Sequence, residues 1–168
     1  MKRSVAILRN NQVRVQRHAE LLYQSLFPIN LDKVYDCLMN LEESILLLHR
    51  RETSILFPFV AKKSSILNIA LDRLQILEKR ILGEIQAIKE SLPPSMNSTV
   101  TVNFRTLSDL CRALLEDIRS TSQIRDFEIF DEAEARVSEP EDQVLFLELH
   151  SITRPLVRRG ELGGETRA

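Results

Sequence analysis

The 168-residue sequence predicts an all-α fold, and three observations carry that prediction. Apolar residues, mostly leucine and isoleucine, make up 43% of the chain, while aromatic residues make up 5% and tryptophan is missing. Glycine and proline, at four and six residues, are too scarce for a turn-rich sheet protein. Apolar residues also recur at steps of three and four along four long stretches, the period of helices facing a core. Short loops between these stretches favour antiparallel neighbours. The expected architecture is an antiparallel up-down-up-down four-helix bundle over residues 1–137, with a C-terminal extension over 138–168.

The first helix is expected over roughly 4–27, from Val5, Leu8, Val15, Ala19, Leu22 and Leu26, and Pro28 ends it. Asn30 suits the N-cap of a second helix over roughly 31–63, with Asp32 near its positive end. Its seam reads Val34, Leu38, Leu41, Ile45, Leu48, Glu52, Ile55, Phe59. Pro58 lies inside this helix, removes one backbone donor and predicts a kink in the last turn. Ser64 or Ser65 can cap a third helix over roughly 65–91, whose seam runs through Ile66 or Leu67, Ala70, Leu74, Leu77, Ile81, Ile85 and Ile88. Pro93 and Pro94, followed by Ser95, Asn97 and Ser98, read as a loop, and Thr99–Val102 as a short extended stretch. A fourth helix over roughly 103–136 has Asn103 as cap and a seam of Leu107, Leu110, Leu114, Ile118, Thr121, Arg125 and Ile129. Ser138, Glu139, Pro140 and Glu141 form a helix start, although residues 144–149 (VLFLEL) also suit a strand. Beyond Arg158 the composition is that of a disordered tail.

Composition also removes whole classes of function. A formal net charge of −1 does not suit a general nucleic-acid binder. No apolar run approaches the roughly 20 residues that span a bilayer, and the apolar run near the N-terminus is too short for a secretory signal. A cytoplasmic protein without membrane contact is expected. Cys37 and Cys111 fit no metal spacing and read as reduced, buried thiols. No Gly-rich phosphate loop, GxSxG, CxxC or HExxH occurs, so no catalytic residues are expected.

The stretch Glu52-x-x-x-Leu56-Phe57-Pro58-Phe59-Val60 resembles the second helix of hemerythrin-like di-iron bundles, and residues 31–48 resemble the iron–sulfur cluster repair group among them. The resemblance covers about residues 5–135 and extends to the order of parts: a helix ending in LFP, a third helix, a Pro-Pro loop and a fourth helix. It implies a bridging carboxylate at Glu52 and a histidine four residues earlier, where this chain has Leu48. His49 is one residue late, about 100° around the helix. The family's last helix carries histidines where this chain has Arg119, Thr121 or Ser122, and a glutamate where it has Arg125.

A centre of that kind requires about five imidazoles and two bridging carboxylates. This chain has three histidines, His18, His49 and His150, and none between positions 49 and 150. The expectation is therefore a metal-free relative with no cofactor, in which His18, His49 and Glu52 are relics of the ligand set. The alternative is a reduced, atypical iron site around Glu52 and His18, serving oxygen or nitric oxide response or iron–sulfur cluster repair. A charged residue on each of two core seams suggests a replacement for the metal. Arg125 can bond Glu52 with both ends of its guanidinium, while Leu48 packs the space that a ligand would fill. In an unrelated bundle carrying ExxxLFP by chance, Glu52 and Arg125 would not lie opposite each other.

The ends of the chain differ in charge. Residues 1–27 hold five basic side chains against Glu20, and residues 126–148 hold nine acids against Arg136. Attraction between the first helix and this acidic block is one reading. The other is a docking surface for a protein partner or a second copy, with Asp131, Glu132, Glu134, Leu145 and Phe146 as candidate contacts.

Overall fold

The computed structural model describes residues 1–65, 67–93 and 101–152, and among them every regular element is helical. Helix α1 spans Arg3–Gln24. Helix α2, Leu31–Arg51, continues through a π-helical segment, Glu52–Leu56, into α3, Phe57–Lys63. Helix α4 is Leu67–Ser91. Helix α5, Phe104–Ile124, continues through a second π segment, Arg125–Phe130, into α6, Asp131–Arg136. Helix α7, Glu139–Ser151, closes the described chain. The side chains of Asn30 and Asn103 accept hydrogen bonds from the amides of Lys33 and Thr106, capping α2 and α5. Residues 144–149 are helical, not a strand, because Ser138 and Glu141 form a capping box that starts α7. Most of the Pro-Pro loop, Thr99, Val100 and everything beyond Ile152 lie outside the described residues.

Helix α1 packs on α2, α5 and α7, and α4 packs on α5. Side-chain pairs give the directions. Arg9 with Asp126, and the Lys2 amide with Glu134, set α1 antiparallel to the α5–α6 helix. Arg73 with Glu128 and Arg80 with Asp117 set α4 antiparallel to the same helix, and Lys89 with Glu42 and His49 with Glu78 set α2 antiparallel to α4. The apolar seams meet in one core, where Leu8, Leu41, Leu56, Leu74, Ile88, Leu107 and Phe130 have essentially no exposed surface. Leu149 belongs to the same core, so α7 is docked and not free-standing.

The π segments correct the expected seams. A π turn holds one residue more than an α turn, so each segment delays the helical phase by one position, roughly 100°. In the second helix the buried residues after Glu52 are therefore Leu56, Phe57 and Val60, while Ile55 and Phe59 are only partly buried. In the α5–α6 helix burial runs from Arg125 to Ile129, Phe130 and Ala133. Pro58 gives the first segment a reason: a proline there has no N–H for the regular ladder, and the amide of Phe57 reaches back to the Glu52 carbonyl instead. The second segment has no proline. Its start faces Gln12 of α1, whose Nε2 donates to the Ser122 carbonyl at 3.3 Å.

Candidate functional site

Glu52 and Arg125 are each the first residue of a π segment. Arg125 Nε donates to Glu52 Oε1 at 2.8 Å, and a terminal guanidinium nitrogen donates to Glu52 Oε2 at 3.0 Å. Glu52 is 0% exposed and Arg125 5%. That same terminal nitrogen also donates to Glu78 Oε1 at 2.7 Å, and Glu78 Oε2 lies 3.0 Å from His49 Nδ1. The result is a chain of four groups from three helical stretches, Glu52–Arg125–Glu78–His49. It runs from the dry core to a partly exposed imidazole.

Formal charge explains why four groups are needed. Two carboxylates against one guanidinium leave a buried excess of one negative charge, which is costly in a low-dielectric interior. The imidazolium of His49 would remove that excess. The pKa of His49 is accordingly raised, chiefly by its bond to Glu78. Burial pushes the Glu52 carboxyl up, against the pull of Arg125. Burial opposes charge on Arg125, but Glu52 and then Glu78 outweigh it and raise the net value. A second layer supports the first. Asp126 accepts from Arg9 at 2.8 Å and from Gln12 Nε2 at 2.8 Å, tying the second π segment to α1.

These residues do not fit a di-iron centre. Both oxygens of Glu52 are already taken by a guanidinium, and a bound cation beside that guanidinium would meet like charge. His18 sits partly buried on α1 with its pKa lowered by burial and by Arg17, and no hydrogen bond joins it to the cluster. His49 is spoken for by Glu78, and His150 stacks edge-on against Phe146 on α7, with ring centres 4.6 Å apart. Among the described residues, no three histidine, cysteine, aspartate or glutamate side chains stand together in a way that could hold a metal ion.

The acidic block is largely committed to contacts within the chain. Asp131 binds Arg9, Glu132 binds Arg136, and Glu134 binds the N-terminal amine and the Lys2 amide. Leu145 is only 4% exposed and packs inward, while α7 turns Val144 and Leu147 outward. Phe146 is partly buried beside His150.

Three charged positions of the cluster, the α1–α7 junction and α4 escape the sequence patterns. Glu78 fits the α4 seam in steps of four, from Ala70 through Leu74 to Glu78, and is buried where Leu77 was expected. Asp142, buried at the start of α7, accepts from the amides of Arg3 and Ser4 and from the Ser4 hydroxyl. Glu84 contacts Asp117, which the guanidinium of Arg80 clasps with two nitrogens. Burial first, then the Asp117 charge, raises the Glu84 carboxyl to about 7. Among the described residues, no helix is long and apolar enough to cross a membrane. No protein-family model matches the chain, and no curated protein or solved structure matches it either.

Proposed function

We propose that this chain is a hemerythrin-like four-helix bundle in which an ion-pair cluster stands where the resemblance implies a di-iron centre, and that it serves as a cytoplasmic, non-enzymatic interaction or regulatory module. One observation carries the reading: Glu52 and Arg125 pair in the core, on the two helices that the resemblance assigns to bridging carboxylates, and Glu78 of α4 holds the same guanidinium. The antiparallel pairing of the long helices supports the bundle. A charge-filled core has a structural consequence. Arg125 and the His49 imidazolium together supply the positive charge that the two glutamates require, so folding gains nothing from a bound cation.

The test is elemental analysis of untagged protein produced with iron in the medium, together with thermal melts with and without chelator. The expected result is negligible metal per chain and a Tm indifferent to chelator. About two irons per chain with oxo-di-iron absorption bands would overturn the proposal and restore gas response or cluster repair as the function.

A further inference from the structure

Helix α4 turns an unpartnered stripe to solvent. Ile69 is 69% exposed and Ile76 68%, one heptad apart, and one heptad further stands Gly83. Beside Ile76, Phe127 of the second π segment is 75% exposed and shares with it a groove of about 530 Å³ floored by Leu77 and Ile124. Three large apolar side chains this exposed on one face are unusual for a surface that meets only water. Gly83 adds a separate puzzle. Glycine is a poor choice in a helix interior, and it is commonly kept where another backbone must approach. Among the described residues, nothing outside its own turn of helix lies within 4 Å of where its Cβ would stand, so no described neighbour requires a glycine.

We infer that this stripe docks against the same stripe of a second copy, with the two α4 helices antiparallel about a twofold axis at Ile76. The stripe is complementary to itself in that arrangement and only in that direction. Ile69 lies seven residues before Ile76 and Gly83 seven after, so each Ile69 knob meets the gap left by the other copy's Gly83. Asp72 lies four residues before the axis and Lys79 three after it, so opposite charges face each other at both ends. Arg73 and Arg80, the remaining cations, are already matched within the chain, Arg73 by Glu128 at 2.9 Å and Arg80 by Asp117. A parallel arrangement would instead stack Ile69 on Ile69 and Asp72 on Asp72. At 25 residues α4 is about 37 Å long, enough helix to support an interface of ordinary size once the Phe127 groove is included.

The inference rests on the interaction-module reading and names the partner. The experiment is sedimentation equilibrium on the full chain up to roughly 100 µM, well above a micromolar Kd. The wild type is expected to be a dimer. Ile76→Glu is expected to be a folded monomer by circular dichroism, whereas Val13→Glu, on an exposed position of α1, stays dimeric. Asp72→Lys should weaken the dimer at least about tenfold, and adding Lys79→Asp should recover most of the loss. Residues 72 and 79 are about 10 Å apart along one helix, too far to pair within a chain, so recovery reports contact between copies. Should Ile76→Glu fail to fold, the charge-reversal pair alone decides. A monomeric wild type, or a dimer indifferent to the variants at 72, 76 and 79, would overturn the inference. Neither outcome touches the metal analysis, so an iron-free monomer refutes this interface and an iron-loaded dimer refutes the metal-free reading.

Discussion

Glu52 has no exposed surface, so its carboxylate is matched inside the protein or it opposes folding. Arg125 matches it with two nitrogens, and Glu78 holds the same guanidinium from α4. Removing one partner from such a group is expensive because the other charge is left dry and alone. Arg125→Leu is expected to lower stability by about 3–5 kcal/mol. Replacing both members, Glu52→Leu with Arg125→Leu, should come much closer to the wild type, because no unpaired core charge remains there and Glu78 keeps His49. Arg125→Lys should fall between, since an ammonium cannot fork across two oxygens. Denaturant unfolding of the three variants checks the order, and a single Arg125→Leu as stable as the wild type would show that the cluster is not a structural charge pair.

At the scale of elements, the π segments and the α1–α7 junction matter most. Asp142 receives three hydrogen bonds from Arg3 and Ser4, supplying from α7 the N-terminal cap that Lys2, at the cap position, does not provide. Burial works against its charged form, but the bonds from Ser4 and Arg3 outweigh this and hold its pKa below the usual range. Asp142→Ala is expected to cost about 1–2 kcal/mol and to speed hydrogen exchange in the first turn of α1. Exchange unchanged in that turn would mean that the junction adds nothing to α1. The sequence makes the helices and one ion pair legible because Glu52 and Arg125 interrupt otherwise apolar seams. Glu78 was hidden by its neighbour, since Leu77 fits the same seam and is the more ordinary core residue. The second π segment has no proline to announce it, and its partner Gln12 lies 110 residues away. Asp142 was one acid among nine, and only the fold distinguishes a buried cap from a solvated charge. The exposed face of α4 is not legible in the sequence because the helical pattern already has enough apolar residues on the other side.

For the whole molecule, these local charges combine into a dependence of stability on pH with a definite sign. His49 has its folded pKa raised above the ordinary 6.5. Its contribution is full below that value and is lost as pH rises through the folded one. Glu84 is a carboxyl raised from 4.5 to about 7, so the folded state holds a proton that the unfolded state has released, and stability falls as pH climbs across that interval. Glu52, raised by burial, acts in the same direction. Asp142 opposes them at the acid end: with its pKa depressed below 3.8, its contribution is present above that value and is lost as pH falls through the folded one. His18, its pKa lowered by burial and by Arg17, also opposes them as pH rises toward 6.5. With three raised groups against it, stability should be greatest in mildly acidic solution and decline toward pH 8. Thermal melts between about pH 4 and 8 measure this, and two variants assign it. Glu84→Gln should flatten the decline between about 4.5 and 7. His49→Gln should flatten the part above 6.5 and leave the lower part in place. A Tm that rises from pH 5 to 8 would contradict the sign for both groups. A decline insensitive to either substitution would move its origin to the third raised group, Glu52, and hence to the core pair itself.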